Sequence, residues 1–157
     1  MYNFNPATKR MEPASTKCEF CEMESSTNME DNYFVPLFRE NNRTNVIVYR
    51  SVKYSKFPVG IPRCRSCRKI HGEAASKAGI IGWLSAIAIM VLSCVIWGGF
   101  GIFSLIVALP VGFFAPQLIE NKMVYKKGIF TKMDGAKRNE AVQDLVIHGW
   151  SFEQPTA

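Results

Sequence analysis

Residues 78–119 have the sequence AGIIGWLSAIAIMVLSCVIWGGFGIFSLIVALPVGFFAPQLI, which contains no Asp, Glu, Lys, Arg or His. As one helix this stretch would extend about 63 Å, roughly twice the ~30 Å hydrocarbon core of a bilayer. A single crossing would therefore leave half of it in water. The sequence predicts a transmembrane helical hairpin with helices at 78–97 and 101–119, joined by a turn at Gly98, Gly99 and Phe100, where glycine accommodates a sharp reversal.

The charges that flank this stretch predict its topology. Five bases precede it between Arg63 and Lys77, and Lys122, Lys126 and Lys127 follow it. An excess of Lys and Arg on both flanks retains both flanks on the cytoplasmic side. We therefore expect an integral membrane protein with two spans, both termini cytoplasmic, and a cytosolic tail at 120–157.

Small residues recur at four-residue spacing inside the predicted spans. Such stripes let helices approach closely in a membrane. The stripes predict packing between the two helices of one hairpin, with homo-oligomerisation as the alternative. The predicted helix-packing residues are Ala78, Gly82, Ala86, Ala108 and Gly112.

Four of the five cysteines form two C-x-x-C pairs, Cys18 with Cys21 and Cys64 with Cys67. Two such turns supply the four thiolates of a closed structural zinc site. The alternative is a redox-active dithiol, but a cytosolic location keeps thiols reduced and disulfides rare. The pattern predicts one structural Zn²⁺ bound by all four cysteines, with His71 as a surface histidine.

Between the two pairs the sequence favours short β-strands. Val46–Tyr49 and Val52–Tyr54 are rich in β-branched and aromatic residues, and Pro58, Gly60 and Pro62 are expected to break the chain before the second pair. Short strands with C-x-x-C turns at one end resemble a zinc ribbon over Cys18–Cys67. This resemblance implies a metal-organised platform for interactions or nucleic-acid binding, and it identifies no specific family. We expect a flexible arm at 1–17 and a zinc-ribbon-like cytosolic module at 18–77.

The tail is expected to contain one short helix at about 139–148. Asn139 is an acceptable N-cap, Gly149 is a natural C-terminal stop, and apolar residues between them recur at helical spacing. A helix of ten residues is marginal alone in water. Its apolar stripe therefore requires a partner surface, either the protein's own zinc module or another protein.

The net charge of +6 is concentrated in residues 39–77, which hold ten bases and two acids. Three roles compete for these bases: compensating a zinc tetrathiolate, attracting anionic lipid headgroups, and holding nucleic-acid phosphates. The first two follow directly from the predicted architecture, so nucleic acid is the weakest. The predicted basic surface for lipid headgroups or phosphates consists of Arg63, Arg65, Arg68 and Lys69.

The sequence therefore predicts an α+β membrane protein that is not an enzyme, because no nucleophile motif, phosphate-binding glycine loop or open metal site is recognisable. The expected function is that of a membrane-tethered, zinc-binding adaptor, in contact with membrane lipid and a cytosolic protein partner. The alternative is a small oligomerising effector that perturbs or perforates the bilayer under the control of its cytosolic part. A membrane-anchored nucleic-acid binder is the third hypothesis.

Overall fold

The computed structural model describes residues 2–46 and 49–156. The protein is α+β, with a four-stranded sheet and a long apolar helical region. It divides into two compact units: Met1–Arg68 together with Lys132–Ala157, and Lys69–Thr131. We call the first unit the head and the second the helical unit.

The sheet of the head has the strand order β1-β2-β4-β3. β1 pairs antiparallel with β2, β2 runs parallel to β4, and β4 pairs antiparallel with β3. The strands are β1 (Tyr2–Asn5), β2 (Arg10–Pro13), β3 (Tyr33–Val46) and β4 (Tyr49–Ile61). The flexible arm expected at 1–17 is therefore wrong for β1 and β2, because their backbone groups are paired within this sheet.

β3 and β4 form a long hairpin rather than the short strands that the sequence predicts. Pro58 and Gly60 lie inside β4, although they were expected to end the strand. The register places Pro36 of β3 opposite Pro58, so the two missing N–H donors coincide at one point of the ladder. Ile47 and Val48, which belong to the first predicted strand, lie outside the described residues.

Two helices follow the helical unit in the chain, α3 (Lys132–Arg138) and α4 (Glu140–Ile147). The predicted cap of α4 is confirmed, because the Asn139 side chain accepts a hydrogen bond from the Val142 N–H. Gly149, which follows the helix, has a φ of 87°, a backbone conformation that glycine adopts readily. The sequence did not predict α3.

The tail packs on the sheet of its own head. Phe38 of β3 and Ser151 exchange two backbone hydrogen bonds of 2.8 and 2.7 Å. The Trp150 ring lies 5.8 Å from the ring of Phe57 on β4, and Val142 of α4 is fully buried. Of the two partner surfaces expected for the tail, the protein's own sheet therefore contacts the residues that follow α4, Trp150 and Ser151.

The helical region consists of α1 (Arg65–Trp97), a 3-10 helix (Gly98–Ser104) and α2 (Leu105–Lys126). Within the described part of the chain, one helical stretch, Arg65–Lys126, is long and apolar enough to cross a membrane. This stretch counts as one candidate span, so the two separate spans expected at 78–97 and 101–119 are not confirmed. A 3-10 helix begins at the predicted turn, and Gly98 there has a φ of 57°, a left-handed conformation that glycine adopts readily.

Within the helical unit, α1 and α2 contact each other through small residues and rings. A Cβ added at Gly82 would lie 2.5 Å from Pro116 Cγ, and the Trp83 and Phe113 rings meet edge to face at 5.4 Å. Gly101 lies against the Cys94 backbone, where a Cβ would come within 2.5 Å. All five small residues of the predicted stripes are buried: Ala78, Gly82, Ala86, Ala108 and Gly112.

Candidate metal centre

The four paired cysteines meet at one point of the head. Their Sγ atoms all lie within 4.8 Å of one another. Cys18 Sγ is 3.9 Å from Cys67 Sγ, and Cys21 Sγ is 3.8 Å from Cys64 Sγ. The expectation that the two C-x-x-C pairs come together is confirmed, and they form a candidate metal site.

The first pair lies on a tight turn of irregular chain. The Glu22 N–H donates to the Cys18 carbonyl at 3.0 Å, which closes the turn around both sulfurs. Glu22 has a φ of 59°, in the left-handed region where an L side chain is strained. The position just after the second cysteine is thus one that favours glycine, and glutamate occupies it here.

The second pair lies at the start of a helix. α1 begins at Arg65, so Cys64 immediately precedes it and Cys67 lies in its first turn. The Cys67 N–H donates to Cys64 Sγ at 3.4 Å, and the Cys64 N–H donates to Cys18 Sγ at 3.3 Å. Amide donors and the positive end of a helix dipole both favour thiolates. A zinc ribbon would place this pair on a β turn; the helix arises because the residues after Cys67 are good helix formers.

Without a bound cation, the pKa values of the cysteine thiols differ widely from one another. The hydrogen bond between the Cys18 and Cys67 sulfurs lowers the pKa of Cys18 to about 4. Burial raises the pKa of Cys64 to about 12. The hydrogen bond between Cys18 and Cys67, and then burial, raise the pKa of Cys67. Four sulfurs this close cannot all ionise unaided, and a bound divalent cation would replace the shared protons.

The tail encloses the first turn. Phe20, between Cys18 and Cys21, is fully buried. A Cβ added at Gly135 of α3 would come within 2.5 Å of the Phe20 ring. Only glycine allows α3 to approach this closely, so the tail helps to shape the candidate site.

Polar contacts between the tail and the N-terminal part of the head surround this packing. The Tyr2 hydroxyl donates to Asn139 Oδ1 at 2.9 Å, and Asn139 Nδ2 donates to Glu19 at 3.3 Å. Burial raises the pKa of Tyr2 to about 12, and burial also raises the pKa of Glu19. The Arg138 guanidinium pairs with Glu22 at 2.7 Å. These contacts join residues more than 100 positions apart, which no local pattern predicts.

One residue of the predicted basic surface is buried in the head. Arg63 is buried, donates to the Asp31 carbonyl at 2.8 Å and lies over the Tyr33 ring. Burial lowers its pKa. Its assignment to a lipid- or phosphate-binding surface is therefore wrong, because its guanidinium is engaged in the head interior.

The other three predicted basic residues remain exposed. Arg68 forms an ion pair of 2.8 Å with the buried Asp31, and this contact holds the pKa of the Asp31 carboxyl below its usual value. Lys69 lies 4.0 Å from Glu73 on the same helix. Arg65, in the first turn of α1, completes the set.

His71 is buried, so its assignment as a surface histidine is wrong. It is 1% exposed, and its Nε2 lies 3.0 Å from the Phe130 carbonyl oxygen. The tautomer with a proton on Nε2 donates this bond. The sequence offered no signal for this contact, because its partner is a backbone atom 59 residues away.

The geometry describes a closed donor set. The metal-binding group found among the described residues consists of the four cysteines, with no His, Asp or Glu included. Four sulfur donors complete a tetrahedral shell and leave no position for a substrate or an activated water. A metal ion bound by these cysteines would join the turn at Cys18 and Cys21 to the start of α1.

We compared the chain with family models, curated proteins and solved structures, and no match was found in any of the three.

Proposed function

We propose that this protein is a membrane-tethered adaptor whose cytosolic head is organised by a structural zinc ion. The observation that carries the proposal is the convergence of four cysteine sulfurs within 4.8 Å in a chain that also contains a long apolar helical region. The ion holds the head together, the helical region holds the protein at the bilayer, and the head presents a surface to a protein partner.

Zinc is the metal that the donor set supports best. A tetrahedral ion with Zn–S bonds of about 2.3 Å separates its sulfurs by about 3.8 Å. The two sulfur pairs at 3.9 and 3.8 Å match this edge length. Thiolate ligands also suit Cu(I) and iron. A closed set of four cysteine ligands is typical of structural zinc sites and therefore favours zinc.

The exposure of the helical unit supports its placement in lipid. Most large apolar side chains between Ile80 and Leu118 are 44–79% exposed in the isolated chain. Exposing these apolar side chains to water would cost free energy, whereas in lipid they need no protein partner.

A two-span hairpin accounts for the length of the helical stretch. Its 62 residues would extend about 93 Å if straight, three times the hydrocarbon core. The contacts of Gly82 with Pro116 and of Trp83 with Phe113 support a chain that folds back on itself. Together with the basic flanks, these contacts support the proposal that both termini are cytoplasmic.

The small-residue contacts favour the adaptor over the oligomerising effector. Gly82 and Gly112 contact Pro116 and Trp83 within the same chain. Small residues that already pack against a helix of the same chain leave little room for a second copy to approach closely. The burial of Arg63 likewise weakens the nucleic-acid hypothesis, since it removes one of the four bases available to phosphates.

The tail helix offers the surface for the partner. Ile147 of α4 is 79% exposed, and it borders an apolar cavity of about 440 Å³ with Val146 and Phe152. An apolar anchor beside a concave surface is the usual centre of a protein interface.

Affinity capture from native membranes tests this function. We expect the full-length chain to retain a defined protein, and Ile147→Asp to lose it because a charge would enter the apolar contact. Met23→Asp is the matched control, since Met23 is 86% exposed elsewhere on the head. If Ile147→Asp and Met23→Asp retain the same proteins as the parent, α4 does not carry the interaction.

A further inference from the structure

A second site lies in the helical unit, in a cavity of about 380 Å³ between α1 and α2. α1 lines it with Ile70, Glu73, Ala74 and Lys77. These four residues follow the i, i+3, i+4, i+7 spacing of a single helix face. The volume is within the range of ligand sites, about 300–1,000 Å³.

The end of α2 brings two more bases to the same cavity, Lys126 and Lys127. The helix ends there because Gly128, with a φ of 72°, turns the chain. The N–H groups of Lys127 and Gly128 donate to carbonyls of the last turn at 3.0 and 2.9 Å. The two lysines are thus held at a defined helix end.

The segment after the turn is held against α1. Ile129 and Thr131 are buried, and the Phe130 carbonyl lies 3.0 Å from Nε2 of the buried His71. His71 is one residue from Ile70, which lines the cavity. This contact keeps the end of α2 beside the α1 face that carries Lys77.

The cavity carries a positive charge. Three lysines line it, against the single acidic residue Glu73. That carboxylate is shared by two lysines, at 3.8 Å from Lys77 and 4.0 Å from Lys69. The remaining positive charge matches a phosphate group.

We propose that this cavity binds the phosphate headgroup of an anionic phospholipid. The proposal rests on the membrane placement of the helical unit. Lys77 is the last charged residue before the charge-free stretch 78–119, and Lys126 lies seven residues after it, or about 10 Å along α2. The headgroup layer on each side of a bilayer is about 5–7 Å thick, and lysine stems reach back toward it. Ile70 and Ala74 supply apolar walls beside the charges.

The test is lipid binding to the full-length protein in detergent, measured by native mass spectrometry. The probes are dioleoylphosphatidylglycerol and dioleoylphosphatidylcholine, which differ in headgroup charge. We expect phosphatidylglycerol to bind at least about tenfold more tightly. The triple variant Lys77→Gln, Lys126→Gln, Lys127→Gln removes this preference, and Glu73→Gln strengthens it severalfold because it leaves the lysines uncompensated.

The matched control removes three other bases, by Lys53→Gln, Lys56→Gln and Lys122→Gln. None of these three lysines lines the cavity, so the preference for phosphatidylglycerol should persist. Equal loss in both triple variants would show diffuse attraction and overturn the site, as would an unchanged preference in the cavity variant. Displacement of phosphatidylglycerol by millimolar inorganic phosphate would overturn the lipid assignment in favour of a free anion.

Failure of this site is distinguishable from failure of the membrane anchor. If the parent protein floats with phosphatidylcholine vesicles but shows no preference for phosphatidylglycerol, the anchor stands and the lipid site is wrong. If it does not float with phosphatidylcholine vesicles, the anchor itself is wrong.

Discussion

Glu22 occupies a backbone position that costs an L-residue about 1–2 kcal/mol, because its φ of 59° is left-handed. Its carboxylate also pairs with Arg138. Replacement by glycine removes the strain together with the ion pair, whereas replacement by alanine removes the ion pair alone.

We therefore predict that Glu22→Gly is more stable than Glu22→Ala by about 1 kcal/mol, since only glycine relieves the strain. Thermal unfolding of the metal-loaded protein measures the difference. Equal stability of the two variants would mean that the turn carries no strain at this residue.

The cysteines allow a test of the metal with an internal control. We predict that Cys18→Ser loses about one zinc ion per chain and unfolds the head, because in small zinc modules binding energy is largely folding energy. Cys94→Ser, in the helical unit, should keep the ion. Elemental analysis and limited proteolysis measure the two effects. Full zinc content in Cys18→Ser would contradict the assignment.

At the residue scale, the spacing of the cysteines predicted the metal cluster. It did not predict the burial of His71 and Arg63. Two C-x-x-C pairs identify four ligands because the motif is local. The burial of His71 and Arg63 depends on backbone carbonyls of Phe130 and Asp31, which lie far away in the chain. No local pattern distinguishes such residues from exposed ones.

At the scale of elements, the contact between α1 and α2 depends on Gly82. We predict that Gly82→Leu destabilises the detergent-solubilised protein by about 1–3 kcal/mol, because the new side chain collides with Pro116. Gly79→Leu is the matched control on the same helix, since a Cβ there meets nothing within 4 Å. Thermal denaturation followed by near-ultraviolet circular dichroism compares them. If the two substitutions cost the same, Gly82 is not a packing position.

Elements with a strong local signal were predicted well. The tail helix had both a cap residue and a stop glycine, and it lies within one residue of the expected bounds. The start of α1 at Arg65 and the length of β3 were missed. The start of α1 lies among polar residues that carry no apolar helical pattern. Pro36 argues against a strand in the sequence, but β3 lies at the edge of the sheet and pairs Pro36 with Pro58.

At the scale of the whole molecule, charge partition predicted an apolar segment between polar ones. The compact units do not follow this order along the chain, because residues 132–157 and residues 1–68 belong to one unit. The tail contacts the strands of the sheet through Trp150 and Ser151. Such contacts form between distant segments, so hydropathy along the chain does not reveal them.

We propose that the apolar helical region crosses the bilayer twice and leaves residues 2 and 156 in the cytoplasm. Epitope tags beside Tyr2 and Thr156, probed by protease in sealed inside-out vesicles, test it most directly. We predict that both tags are digested without detergent. Protection of one tag, or of both, until detergent is added would contradict the account.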